Sequence, residues 1–470
     1  MSFAPRPLEG VLVLDLSRIL AGPFATQMMA DMGATVIKIE EPRAGDDTRG
    51  FGPPFVEGES TYFMAFNRNK RSLAVDLKTD EGRALAHDLA LKADVVVENF
   101  RPGVADKLGL GYAALSAQKP SLIYVSVSGF GQTGPDRERP GYDLMAQGMG
   151  GLMSLTGPAD GAPYKVGVSQ ADMVAGLYAV QGTLLALLSR ERTGKGQHVD
   201  VCLLDGQVSL LSFIATAFLN TGKTPSRQGN AHASIAPYQT YKAADGWFNV
   251  TVGNDRLFES FATVVGHPEL ATDPRFAENA ARVSNLAALN AIIEPVLEAQ
   301  PKQHWLDALD VAGIPAGPIL TVDQVFAHPQ VAAREMMTEV EHPTAGTVKL
   351  VGNPVKLSET PSRVDLPPPL LGQHSEAVLR AMLDMSDEKV ADLKARGVIR
   401  QWEPPAAASE TAAAAEPAAG ASEPAAAAEP AAAAAEPAAA AAEATAGASE
   451  PAGEPEPVSA PPTETAEATP

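Results

Sequence analysis

Between Gly10 and Glu40 the chain spells out one supersecondary unit in full. An apolar run, "GVLVLDL", leads into "PFATQMMADMG", which opens on proline and closes on glycine, and a second apolar run, "TVIKIE", follows. Short apolar runs bounded by turn signals suit strands buried on both faces, and proline at the first helical position with glycine past the end marks a helix between them. Two strands joined through a helix run parallel, and a parallel sheet must be covered by helices on both sides. The pattern recurs in "EGRALAHDLALKA", "DVVVENF" and "SLIYVSVSGFG". It predicts an α/β fold with a parallel sheet and covering helices.

The first part of this large domain is expected over residues 1–212. Residues 213–237 lack clean periodicity and read as a connection. A smaller domain is expected over 238–338, with "GWFNVTVG" as a strand and "RLFESFATVVG", "NLAALNAIIEPVLEAQ" and "KQHWLDALDVAG" as helices. Residues 339–402 return to the large domain through "GTVKLVGNPVKLS" and two short helices. From 403 to 470 alanine, proline and glutamate dominate; proline interrupts the helix that alanine favours, and few large apolar side chains are present, so a disordered acidic tail is expected.

Charge points to partners only after it is divided along the chain. The formal net charge is −21, but the 12 glutamates from Glu403 onward face no lysine or arginine, which leaves −9 for the preceding residues. A mildly acidic body argues against nucleic acid as the main ligand. The N-terminal residues suggest neither a signal peptide nor a membrane span, and the expected location is the cytoplasm. Cys202 is the one cysteine, so no intramolecular disulfide or thiolate cluster can form, and the eight histidines show no metal-binding spacing.

Four segments are candidates for chemistry. "SRILAGPFATQ", residues 17–27, turns from strand to helix, where free amides and Arg18 suit an anion; an ordinary βα turn has the same form. "GFGQTG", residues 129–134, has the spacing of a dinucleotide fingerprint, but Pro135 and Pro140 make it a loop. The strand ending Glu98, Asn99 and Phe100 brings an amide and a ring to the carboxyl edge of a parallel sheet, with Arg101 and Lys107 following. Asp172, in "GVSQADMVAGLYAV", opens an apolar helix after a glycine-punctuated approach. An acid in a first helical turn is stabilised by the helix dipole, so it serves as a cap and would also stay ionised as a nucleophile.

Taken in order, "LDLSRILAGPFATQMMADMGATVIKIEEP", "NRNKRSLAVDLKTDEG", "ADVVVENFRPG", "VSGFGQTGP", "GYDLMAQGMGGLMSLTG", "GVSQADMVAGLYA", "RTGKGQHVDV" and "LLGQHSEAVL" resemble the class III CoA-transferases, the CaiB/BaiF family, over roughly residues 8–398. The resemblance implies that Asp172 is the catalytic residue, forming an aspartyl mixed anhydride and then an aspartyl-CoA thioester. It implies acyl-CoA and a free carboxylic acid as substrates and no permanently bound cofactor. It also implies a large domain and a small one in a ring-like chain, two of which interlock as a homodimer.

By the same resemblance coenzyme A would meet Arg18, Ile19 and Ala21, the block Asn69, Lys70, Arg71 and Leu73, then Asn99, Phe100, Lys107 and Tyr142. Leu20 and Glu41 depart from the glutamine and arginine of oxalate-using formyl-CoA transferases, and "RQGNAHASIAPY" is a weak match for their glycine-rich lid, which speaks against formate and oxalate. A dicarboxylic acid such as succinate fits, with Arg49, Arg68 or Arg71 as partners for its second carboxylate. Two alternatives stay beside this reading. An α-methylacyl-CoA racemase has a similar fold, but Tyr142 stands where its histidine would be; the other is a non-catalytic CoA-binding protein.

Overall fold

The computed structural model describes residues 5–404, so the tail expected from 403 falls, beyond Pro404, outside the described residues. Strands are numbered along the chain: β1 (Leu12–Asp15), β2 (Thr35–Glu40), β3 (Phe55–Val56), β4 (Glu59–Ser60), β5 (Lys70–Val75), β6 (Val95–Glu98), β7 (Ile123–Ser128) and β8 (His198–Cys202), followed by β9 (Tyr238–Ala243), β10 (Gly246–Thr251), β11 (Ala316–Pro318), β12 (Met337–His342), β13 (Gly346–Val351) and β14 (Ile399–Arg400).

Seven strands form the central sheet in the order β14-β5-β2-β1-β6-β7-β8. Six run parallel, and β14 pairs antiparallel with β5. Alternation sends successive residues to opposite faces. Val13, Val95 and Val97 join the core under helices Ala21–Asp31 and Gln170–Thr193, while Leu14 and Val96 join the core under helices Asp80–Lys92, Tyr112–Gln118, Ser375–Leu383 and Asp387–Ala395. Because both faces are covered, the strands read as unbroken apolar runs. The edge strand β8 was not legible in that way: "HVDVC" alternates exposed and half-buried residues, since one side of it has no neighbour.

Helix Gln170–Thr193 is the longest among the described residues, and by length and composition alone it could cross a membrane, which the sequence reading did not find. Its buried stripe is Ala171, Ala175, Ala179 and Ala186, small residues that let it lie close to the sheet and to helix Ala21–Asp31. At the crossing only glycine fits: a Cβ on Gly176 would stand 2.8 Å from the Ala21 carbonyl oxygen and 2.9 Å from Phe24.

A second core lies between β9–β11 and the helices of residues 255–311, built on Phe248, Phe258, Phe261 and Trp305. The segment read as a connection contains helix Ser212–Thr221; its apolar face is exposed, so the burial that makes a helix periodic is absent. β12 and β13 do not return to the central sheet but pair with each other, packing Val348 and Leu350 on Met64. The true return is β14. There Ser72 N–H donates to His374 Nδ1, Gly372 N–H to Ser72 Oγ and Ala74 N–H to Ser375 Oγ, finishing the β5 edge.

Candidate functional site

The chain runs outward from β1 through β2 to β5, then crosses back to β6 and runs the other way to β8. The carboxyl ends of β1 and β6 therefore flank a topological switch point, where open α/β sheets leave a crevice. Here it is a cleft of about 390 Å³, lined by the Arg18–Ala21 turn, Asn99–Arg101, the ends of the 129–141 loop, Tyr142 and Asp172.

The first wall is held from below by a buried ionic network. Asp15 accepts from Lys70 Nζ at 3.1 Å and from Thr26 Oγ1 at 2.6 Å; Lys38 Nζ donates to the Ser17 carbonyl at 2.8 Å and pairs with Asp46 at 2.8 Å. Lys38 holds Asp46 down, at about 2, against burial that pushes it up. Asp46 Oδ1 in turn accepts the Ile19 N–H at 3.2 Å. Ile19 has φ +70°, a left-handed conformation that a β-branched residue adopts only where its surroundings hold it there.

Asn99 makes the second wall and joins it to the first. Its Oδ1 accepts the Arg18 N–H at 2.8 Å, and its Nδ2 donates to the Arg18 carbonyl at 2.6 Å. The loop after β7 forms the third wall. A Cβ on Gly129 would stand 2.6 Å from Gly141 Cα, so the two ends of this loop touch backbone to backbone, which side chains would forbid. No helix starts until Asp143, in keeping with the reading of "GFGQTG" as a loop.

Asp172 lies in the first turn of its helix and is half-buried. Burial, and after it the charge of Asp143, push its carboxyl up to about 7. The helix start was expected to favour the anion; desolvation and a like charge both oppose it here. Asp143 is braced on both oxygens, accepting from Ala171 N at 2.8 Å and from Gln147 Nε2 at 2.8 Å, while Gln147 Oε1 accepts from Val166 N at 2.9 Å. Asp143 thus caps the helix that carries Asp172 and fixes its glycine approach. Tyr62, hydrogen-bonded to Ser169 and raised by burial and by both aspartates, completes the surroundings.

Of the residues expected at the site, the cleft brings together Arg18, Ile19, Ala21, Asn99, Phe100, Tyr142 and Asp172. Lys107 is exposed at the end of the short helix Val104–Lys107, whose first residue lines the cleft. The block after Asn67 does not reach it with side chains. Asn69 is spent on Asp31 and on the 363–366 backbone, Lys70 on Asp15, Pro23 O and Asn67, and Leu73 is fully buried core. Arg71 is half-buried beside His374. Arg49 and Arg68, considered for a second carboxylate, are already paired bidentately with Glu40 and Asp31. Glu41 accepts from the Arg43 and Ala44 amides of its own turn.

The sequence reading missed Asp143, Tyr62 and two cleft arginines, Arg137 and Arg139. Arg18 pairs with Asp47 and Arg139 with Asp136. Arg101 and Arg137 make no ion pair among the described residues, and both line the cleft. The arrangement offers a carboxylate near neutral pKa, backbone amides of glycine loops, and unpaired guanidinium groups for anions.

The model of "CoA-transferase family III" matches residues 8–375. The chain is 43% identical over 398 residues to the succinyl-CoA:glutarate CoA-transferase of Homo sapiens, covering 85% of this chain and 91% of that one. It is 45% identical to the succinate–glutarate CoA-transferase of Agrobacterium fabrum (79% and 95% covered) and 47% identical to the acetyl-CoA:oxalate CoA-transferase of Acetobacter aceti (75% and 89%). The crystal structure of a CaiB/BaiF family protein from Brucella suis superposes with a TM-score of 0.73 at 47% identity, covering 81% of this chain and 100% of that one.

Proposed function

Since the chain belongs to CoA-transferase family III and is a CoA-transferase, we propose that Asp172 is its nucleophile and that it moves CoA between short dicarboxylic acids, with succinyl-CoA as one donor. The observation that carries this reading is the convergence of Asp172 and two unpaired arginines on the switch-point cleft. Relatives named for succinate, glutarate, citramalate and mesaconate support the substrate class.

The Asp172 carboxylate attacks the thioester carbonyl; the C–S bond breaks, and a mixed anhydride and CoA thiolate result. The thiolate attacks the aspartyl carbonyl and expels the donor acid, leaving an aspartyl-CoA thioester. The acceptor carboxylate attacks that carbonyl and releases thiolate, which then takes the acyl group from the new anhydride and restores Asp172. Exchange of one thioester for another is nearly balanced and needs no nucleotide. Each addition creates an oxyanion, and backbone amides at the Gly129 and Gly141 ends of the loop are suited to receive it. Arg18, Asn99, Phe100 and Tyr142 would hold the CoA thioester, and Arg101 and Arg137 would bind anionic groups, the distal carboxylate among them.

A homodimer is part of this proposal. Leu177, Leu184, Leu185 and Leu188 expose one side of helix Gln170–Thr193, and Phe213, Phe218 and Leu219 extend the apolar surface, which suits burial against a second copy. The separate core between β9 and β11 supports residues 238–338 as a domain of their own. A lone buried Cys202 thiol fits a cytoplasmic setting.

Incubation with succinyl-CoA followed by hydroxylamine is expected to leave a mass change on the Asp172 peptide, and Asp172→Asn to lose turnover by a factor on the order of 10³ or more. Full activity in that variant with no adduct would sink the mechanism. A panel of acyl-CoA donors and free acids, with oxalate and monocarboxylates included, tests the substrate class; preference for a monocarboxylate overturns it. Exchange of the α-proton without an acceptor acid would favour the racemase instead.

A further inference from the structure

Behind the Asn99–Phe100 wall a hydrogen-bonded chain crosses three adjacent strands. Glu98 ends β6 almost fully buried, and its Oε2 accepts the Phe100 N–H at 2.8 Å. In the register of the sheet Glu98 lies beside Ser126 of β7, whose hydroxyl bonds to the Glu98 carboxylate. Ser126 Oγ is also 2.9 Å from His198 Nε2 on the edge strand β8. The His198 ring stacks on Tyr112, with centroids 5.0 Å apart, and meets Tyr124 edge-on at 5.6 Å.

The charged and titratable groups around Glu98 are Asp106 from helix Val104–Lys107, Asp200 from β8 and Tyr124 from β7, with His198 one hydrogen bond further off beyond Ser126; no cation is among the main influences on it. Burial and, after it, Asp106 and Asp200 push the carboxyl up to about 7, while Ser126 and the Phe100 amide pull it down. A buried acid without a counter-charge destabilises a fold that an apolar residue would serve better. What this acid touches is the corner that clamps Arg18.

We propose that Glu98 is a positioning residue for the CoA thioester, holding the Asn99–Phe100 corner against the Arg18–Ala21 turn through the Phe100 amide, with Ser126 and His198 setting its strength as an acceptor. This rests on reading the cleft as the CoA-thioester site. With Glu98 ionised, donation runs one way: His198 Nε2–H to Ser126 Oγ, Ser126 O–H to Glu98, and Phe100 N–H to Glu98. A proton taken up from solvent reverses the first two bonds. The carboxyl O–H then donates to Ser126 Oγ, the Ser126 hydroxyl donates to the unprotonated Nε2 of the other His198 tautomer, and Phe100 N–H is left with a weaker acceptor.

The test is steady-state kinetics with succinyl-CoA from about pH 6 to about pH 9, beside calorimetric binding of free CoA. Wild type is expected to show KM rising several-fold below about pH 7. Glu98→Gln is expected to raise KM roughly five- to tenfold at high pH and to flatten its pH dependence, with the loss falling on kcat/KM. His198→Phe keeps the ring stack but removes the donor and is expected to shift the KM profile; His198→Gln, which can donate to Ser126, is expected to restore it. Wild-type KM and pH profile in a folded Glu98→Gln protein, or a loss confined to kcat, overturns the proposal. Should Glu98→Gln not fold, the two His198 variants decide: identical KM profiles overturn it. Failure of the wild type to bind CoA would refute the cleft reading itself, an outcome separate from unchanged kinetics in the variants.

Discussion

The Asp172 carboxyl, pushed up to about 7 by burial and Asp143, is protonated in part at neutral pH. A carboxylate must be ionised to attack, so kcat is expected to rise with pH through about 7, measured under saturating acyl-CoA. The same shift acts on stability with the opposite sign. An unfolded aspartate ionises near pH 3.9, so the folded protein loses stability as pH climbs from there to the folded value and recovers none above it. Asp172→Asn removes that cost; its melting temperature should match wild type near about pH 4 and exceed it near about pH 8. Equal melting temperatures at both pH values would show that the site carries no such cost. Asp172 stood out in the sequence because one acid opens an apolar helix, a pattern that by itself reads as a cap; only the family resemblance pointed to it as the nucleophile. Asp143 was not, since nothing in "GYDLMAQ" says that its oxygen meets the Ala171 amide of a helix that folds back from 28 residues away.

Two helices meet where the site needs them. Helix Ala21–Asp31 begins at the cleft turn and helix Gln170–Thr193 carries Asp172, and they touch at Gly176. Gly176→Ala is expected to cost about 1–3 kcal/mol in a denaturant titration and to lower kcat as the two N-termini part. At the 129–141 loop, Arg137→Ala is expected to raise KM for dicarboxylates more than for monocarboxylates of equal length; equal effects on both would assign Arg137 to CoA instead. The parallel strands β1, β2, β6 and β7 and most of the longer helices were legible because burial on both faces or one leaves a clear period. Asn69, Lys70, Arg71 and Leu73 were expected to meet coenzyme A from the family resemblance, not from a local pattern. In the structure Lys70 turns inward to Asp15 and Asn69 binds Asp31, and which side chains go inward is a matter of tertiary packing.

At the scale of the molecule, the exposed leucine stripe of helix Gln170–Thr193 predicts self-association. Sedimentation of the full chain should give a dimer, and Leu185→Glu with Leu188→Glu should shift it toward monomer; a wild-type monomer would refute the interface. The sheet carries a further consequence, one of timing. β5 finds its outer neighbour only in β14, and the bonds that seal this edge join residues about 300 apart in the chain. At ribosomal rates that interval is on the order of 15–60 s, during which the nascent sheet presents an open flank of unpaired amides to whatever else is in reach. A stop codon before Gly372 would remove every one of these bonds, and one between Ser375 and Ile399 would still take away the β14 pairing.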